Sequence, residues 1–304
     1  MIGDPIFDDF ARGQVQFLGG GGPASQDELS RDAFIALLDA IKTPVILVTH
    51  SQGGTPGWLV ADARPNQVKA IVTMEPAAPP IRNVDPAKIE YTGNGLAWGV
   101  ANTKITYDPP VNNPAELNPV LEEKSDIPGD VIACYVQKEP AHKLVNLAKI
   151  PVVYLTSEGG YHRVYDGCTA KWLNQAGVKT QFVRMEDVGL HGNGHQMMQE
   201  KNSDDIAKWI DQWMTKNVPQ KENAKMAMPN SGIPTFPVDN IARQGWFYAG
   251  GSYKGEKGKQ IMGGAMYTEV WVPKVQKHPY PMVLFHGNGQ SGAVWRQTPD
   301  HRAG

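Results

Sequence analysis

Only two cysteines, Cys134 and Cys168, occur in the 304 residues, too few for a disulfide framework; one bridge and two free thiols both remain open. No window approaches 18 consecutive apolar residues, which excludes a membrane-spanning helix. Basic charge is not in excess either. With 29 Lys+Arg against 31 Asp+Glu the formal net charge is −2, and no Lys/Arg-rich run occurs, so nucleic acid is not an expected partner. The first residues, Met1 to Phe7, lack the basic start and apolar stretch of a signal peptide. What is there is ordinary for a globular chain: 41% hydrophobic and 20% charged residues. A chain of this length buries about three quarters of its unfolded surface, so a large core needs no staples. An enzyme or a binding module remains.

Apolar residues at helical spacing over 31–42 follow an acidic start at Asp27 and Glu28. Pro44 opens a short β-branched run, Val45–Val48, that ends in Thr49-His50-Ser51-Gln52-Gly53-Gly54 and reads as a buried parallel strand. Residues 57–63 read as a helix, 68–74 as a strand, 151–155 and 180–185 as two more strands, with helices over 168–176 and 204–213. This alternation predicts a doubly wound, mostly parallel α/β sheet. Residues 83–149 interrupt it; they are polar, carry seven prolines, and read as a cap-like insertion with one helix near 141–149. The expected organisation is thus a catalytic part over 1–214, a Lys/Asn/Pro-rich linker over 215–237, and a β-rich segment over 238–304 with strands at 246–250, 265–272 and 281–285.

Ser51 sits where a buried strand turns into a helix, and a nucleophilic serine needs that sharp turn to lift its hydroxyl clear of the sheet and free the next backbone N–H. Thr49 replaces the first glycine of the usual pentapeptide; a capping serine is the competing reading. The expected base is His195, on the glycine-rich loop His191-Gly192-Asn193-Gly194-His195 between the last sheet strand and the last helix. The His-x-x-x-His spacing invites zinc, but two intervening glycines and no Glu argue against a helical ligand pair, so no metal is expected. For the carboxylate, Glu75 and Glu158 both follow sheet strands and stand near parity, with Asp187 as a further competitor. Strand 281–285 runs into His286-Gly287-Asn288-Gly289-Gln290, a glycine loop able to turn backbone N–H groups towards a developing oxyanion. It lacks the Lys-Ser/Thr pair of a phosphate loop. Tyr91, Trp98 and Trp295 are candidates to line an acyl or alcohol pocket, with Trp98 and Trp295 taken as substrate-binding, although each taken singly reads more readily as packing.

With these residues assembled, the chain resembles the α/β-hydrolase esterases of the bacterial esterase 713 type, which has fungal relatives. The matching stretches are Gly3-Asp4-Pro5-Ile6-Phe7-Asp8, Thr49–Gly54, Met74-Glu75-Pro76, Tyr161-His162 with Tyr165-Asp166-x-Cys168-Thr169, and His191–His195 with Glu200-Lys201-Asn202. The resemblance implies a Ser51–His195–Glu75 triad, and it selects Glu75 over Glu158. It also implies an oxyanion hole from the amides of Gln52, Gly287, Asn288 and Gly289, in a His-Gly loop followed by Trp295 and Thr298-Pro299-Asp300. Some members carry adjacent cysteines where Asn288 and Gly289 stand here, so no redox feature is implied. The expected activity is hydrolysis of a small-molecule ester through an acyl-enzyme, without cofactor; an impaired scaffold with a binding role is the other class to consider.

The order of the segments departs from the family. There the His-Gly loop precedes the nucleophile; here it follows the linker, and the stretch holding a helix and a central strand between Thr-Pro-Asp and Gly-Asp-Pro-Ile-Phe is not found. A circular permutation with a deletion and a piece of two tandem units both account for this. Either way, the strand at 281–285 is expected in parallel beside 45–48, placing 287–289 over Ser51. The strands over 246–272 are expected to attach loosely, leaving an apolar sheet edge that favours a homodimer.

Overall fold

Residues 22–41, 44–129, 131–218, 238–254, 256, 261–287 and 290–296 are described by a computed structural model of the chain. The family stretch at 3–8, most of the linker (219–237), Asn288, Gly289 and the 298–300 motif lie outside the described residues. Four helices, α1 (Gly22–Ile41), α2 (Gly54–Ala63), α3 (Asp166–Gln175) and α4 (Ser203–Asn217), accompany strands β1 (Val45–His50), β2 (Val68–Met74), β3 (Arg82–Asp85) and β4 (Glu90–Asn94). The remaining strands are β5 (Pro119–Leu121), β6 (Tyr135–Gln137), β7 (Val152–Thr156), β8 (Thr180–Arg184), β9 (Ile241–Lys254), β10 (Ile261–Pro273) and β11 (Met282–Phe285).

Five strands form the central sheet in the order β11-β1-β2-β7-β8, every neighbour parallel. Side chains alternate across it with period two. Val45, Leu47, Ile71, Val152 and Tyr154 face one layer with Leu37 and Leu38 of α1, Trp58 and Leu59 of α2, and Trp172 of α3. Ile46, Val48, Ala70, Val72, Val153 and Leu155 face the other, against Ile206, Trp213 and Met214 of α4. Burial on both faces is why β1, β2 and β7 are continuous apolar runs rather than alternating ones.

The strand from the chain's far end takes its expected place. Met282, Val283, Leu284 and Phe285 stand in register with Ile46, Leu47, Val48 and Thr49. As edge strand, β11 buries Val283 and Phe285 and exposes Met282 and Leu284. The Phe285 ring stacks on Phe34 of α1 at 3.5 Å between centroids. Among the described residues, strands β9 and β10 pair only with each other, as an antiparallel ribbon outside the main sheet. Their attachment is firmer than expected, since Ala249 is part of the core and Phe247 and Met266 pack against it.

Two further expectations need correction. No helix spans 141–149; only the single turn Leu147–Lys149 forms, because Leu144 and Leu147 are drawn into the core by an extended approach. The stretch 83–149 holds two small antiparallel pairs, β3–β4 and β5–β6, and Val100, Ile105, Val111 and Leu117 join the main core. Helix α4 runs to Asn217, so the first linker residues are helical. Cys134 and Cys168 form a disulfide that ties this region to α3, packed under Val131, Ile127 and Ile132. Among the described residues no helix is long and apolar enough to cross a membrane.

Candidate active site

Strand β1 ends at His50, and the chain turns at once. Ser51 adopts φ +51°, a left-handed conformation that a non-glycine residue holds only when its surroundings impose it. The turn Ser51–Gly53 then feeds directly into α2. Close approach explains the glycines: a Cβ on Gly54 would lie 2.2 Å from the Pro76 side chain. It also explains Thr49 in the place of a glycine. A Cβ on Gly57 would meet Thr49 Cγ2 at 2.7 Å, so the space the helix needs is left by Gly57 instead, and Thr49 Oγ1 is bonded to Thr73 Oγ1 at 2.8 Å.

His195 Nε2 lies 3.0 Å from Ser51 Oγ, and its Nδ1 lies 2.6 Å from Glu75 Oε2. The other carboxylate oxygen, Oε1, accepts from the Ser157 backbone N–H at 2.8 Å and from the Ser157 hydroxyl. Glu75 is completely buried, at the end of β2, with φ +42°. Burial alone would raise its carboxyl, but the bonds from His195 and Ser157 outweigh that and hold it below the usual range. An ionised Glu75 therefore receives a proton-bearing Nδ1, which leaves Nε2 as the acceptor for the serine hydroxyl.

The competing acids stand elsewhere. Glu158 is exposed and accepts from the Gly192 N–H at 2.9 Å, with His191 Nδ1 at 3.3 Å, so it braces the histidine loop from outside. Asp187 sits in the turn Met185–Val188, exposed. Asn193 and Gly194 are bonded to Glu200, and Asn193 also to Asn202, which fixes the rest of the loop.

Two buried histidines lie in stretches quoted for the resemblance but are given no role there. The Nε2 of His50 lies 2.8 Å from the carbonyl of His195, which can only accept, so Nε2 carries the proton and ties the loop to the elbow. His162 stacks flat on His195, 4.7 Å between centroids and 13° between planes, with its Nδ1 3.1 Å from Asp166 Oδ1. Tyr154 Oη donates to the same oxygen at 2.8 Å. Burial pushes both His50 and His162 down to about 3 and raises Asp166 well above its usual range, so this platform is neutral. The available signal was the His162–Asp166 spacing of four, which says nothing of what the ring rests on. Glu75, His162 and His195 offer ligand atoms within 4.8 Å of one another, the group among the described residues suited to a metal ion; the hydrogen bond between Glu75 and His195 already occupies two of its members.

Gly287 arrives beside Ser51, its hypothetical Cβ 2.8 Å from the serine Cβ. Its N–H donates to Gln290 Oε1 at 3.1 Å. Gln290 in turn donates to Gln196 Oε1 at 2.7 Å. Gln52, whose N–H follows the serine, lines the pocket in front of Ser51. Trp98 and Trp295 do not line it. Trp98 is buried in the main core, its carbonyl accepting from Tyr107, and Trp295 packs against the opposite layer. Tyr91 donates to the Ala133 carbonyl instead. Tyr161, half-exposed, is the aromatic that reaches the pocket.

No protein-family profile matches the chain. Over 216 residues it is 41% identical to the probable secreted lipase phiG of Fungal sp. (strain ATCC 74256), an alignment covering 71% of this chain and 57% of that protein. The chain thus spans a little over half the length of this curated relative. Among solved structures, the atomic-resolution structure of a novel bacterial esterase aligns with TM-score 0.36 at 19% identity, over 62% of this chain and 43% of the other. The Paleococcus ferrophilus monoacylglycerol lipase aligns with TM-score 0.34 at 12% identity, over 63% and 76%.

Proposed function

We propose that this chain is an α/β-hydrolase that cleaves carboxylic esters, with Ser51 as nucleophile, His195 as general base and then acid, and Glu75 as the carboxylate that orients the imidazole. One observation carries this: Glu75, His195 and Ser51 form a continuous hydrogen-bonded line, at 2.6 and 3.0 Å, ending on a serine held at φ +51°. In the first half-reaction Ser51 Oγ attacks the ester carbonyl as its proton passes to His195 Nε2. The Glu75 carboxylate stabilises the imidazolium, and the stacked, neutral His162 adds no opposing charge. His195 then returns the proton to the leaving alcohol. Water, deprotonated by the same nitrogen, releases the acid from the acyl-enzyme. The Gln52 N–H is the proposed oxyanion donor within the described residues; Asn288 and Gly289 are the proposed second source.

The parallel pairing of β11 beside β1 supports the reading that this segment order is a permuted or tandem-derived form of the esterase arrangement, with no strand beyond β11 among the described residues. The exposed Met282 and Leu284 on that edge are where two copies would pair, which the oligomeric state in dilute solution tests. The Cys134–Cys168 disulfide fits an oxidising compartment, in keeping with a relative described as secreted.

Labelling with a fluorophosphonate followed by peptide mass analysis tests the chemistry. The expected result is one adduct, on Ser51, lost together with small-ester turnover in Ser51→Ala. A folded wild-type protein that takes no label at Ser51 overturns the proposal.

A further inference from the structure

The pocket in front of Ser51 has a volume of about 480 Å³ and a lining that suits a fatty chain poorly. Its apolar lining is Pro23, Ala77, Ala78, Leu96 and the ring of Tyr161, and no Phe, Ile, Val, Met or Trp lines it among the described residues. Facing the same space are Asp27, Gln52, Asn94, Asn102, Gln196 and Gln290. These come from α1, the nucleophile turn, the end of β4, the segment after β4, the histidine loop and the segment after β11, so six separate parts of the chain each contribute a carboxylate or an amide. Asp27 is the most telling. It is 3% exposed, and its Oδ2 accepts from both the backbone N–H and the side-chain amide of Asn102, at 2.9 and 3.0 Å. Both donors go to one oxygen, and among the described residues no Lys or Arg lines the pocket or pairs with this carboxylate.

We infer that this pocket takes a short-chain ester of a polyhydroxylated alcohol, with Asp27 accepting hydrogen bonds from its hydroxyl groups. This rests on the ester-hydrolase reading and names the substrate class for the same site. The reasoning is one of satisfaction. A long acyl chain seated here would lie against Asp27, Gln52, Asn94 and Gln196 and return no hydrogen bonds to them. A hydroxyl both donates and accepts, so a polyol satisfies amides and carboxylate alike. A site built this way discriminates strongly against an analogue that lacks the hydroxyls, because its own polar groups are then left unpaired.

Glycerol monoacetate and propyl acetate share an acetyl group and a three-carbon alcohol and differ in two hydroxyls. The expected kcat/KM ratio is at least ~10 in favour of the glycerol ester. Along 4-nitrophenyl acetate, butyrate and octanoate, kcat/KM is expected to fall. Asp27→Asn is expected to lower the glycerol-to-propyl ratio by about tenfold. The wild-type ratios stand without that variant, should it fold poorly. A ratio near one, or octanoate cleaved faster than acetate by a protein that labels at Ser51, overturns this inference and leaves the hydrolase reading intact. No turnover of any of the five esters by folded protein overturns both.

Discussion

A Cβ placed on Gly160 would stand 2.1 Å from Oε1 of Glu75 and 2.4 Å from Oγ of Ser157. Gly160 itself has φ −73°, open to any residue, so it is space rather than backbone conformation that demands glycine there. Gly160→Ala is therefore expected to push the carboxylate away from His195. Displacements near 1 Å at a catalytic group cost about 100-fold. Fluorophosphonate labelling rates, compared with the thermal midpoint, check it: labelling slows by about that factor while the protein stays folded. Unchanged labelling would remove Glu75 from its assigned role.

Glu75→Gln is expected to lower kcat by about 10³–10⁴-fold, since an amide can neither hold the Nδ1–H tautomer nor balance the imidazolium. Glu158→Gln should cost no more than about threefold, because its bonds go to Gly192 and His191 on the outer side of the loop. Steady-state ester turnover ranks the two. A severe Glu158 variant beside a mild Glu75 variant would reverse the assignment.

Acid should destabilise the fold through the buried histidines. Burial sets the folded-state value of His162 at about 3, while an unfolded histidine titrates near 6.5. Below about pH 6.5 the unfolded chain therefore takes up a proton that the native state refuses, and stability falls until the folded value is reached. At pH 5 this amounts to about 2 kcal/mol for one such group. Urea unfolding of wild type and His162→Phe at pH 7 and pH 5 measures it. The stability lost between the two pH values should shrink by about that amount in the variant; an equal loss in both would mean that His162 is protonated in the folded protein.

The Cys134–Cys168 bridge closes a loop of 34 residues. On the chain-entropy account its removal costs about 3–4 kcal/mol. Calorimetry with and without reductant, and of the Cys134→Ser, Cys168→Ser double variant, should show a lower midpoint in both cases. A midpoint insensitive to reductant under denaturing exchange would argue that the thiols are free.

The parts of this protein governed by local chemistry were legible in the chain itself. Val45–Val48 announces a strand buried on both faces, and Ser51 followed by two glycines announces a strand-to-helix turn, because both depend on residues next to each other. The position of His195 between the last sheet strand and α4 follows from the same alternation. The choice between Glu75 and Glu158 did not follow from that alternation and came from the family resemblance alone. Each follows a sheet strand, and the folded chain turns one under the imidazole, at φ +42°, and the other outward to Gly192. Trp98 and Trp295 were misplaced for a related reason: an aromatic in an irregular segment looks the same in sequence whether it lines a pocket or fills a core. The engagement of the Gly287 amide by Gln290, the His162 platform, and the ring of amides around Asp27 were beyond reach. Each joins residues far apart in the chain, and their geometry exists only once the sheet has brought β11 beside β1 and α1 against the segment holding Asn102. Propensity and period act over a few residues and so determine elements; the chemistry of the pocket is set by which elements the shared core draws together.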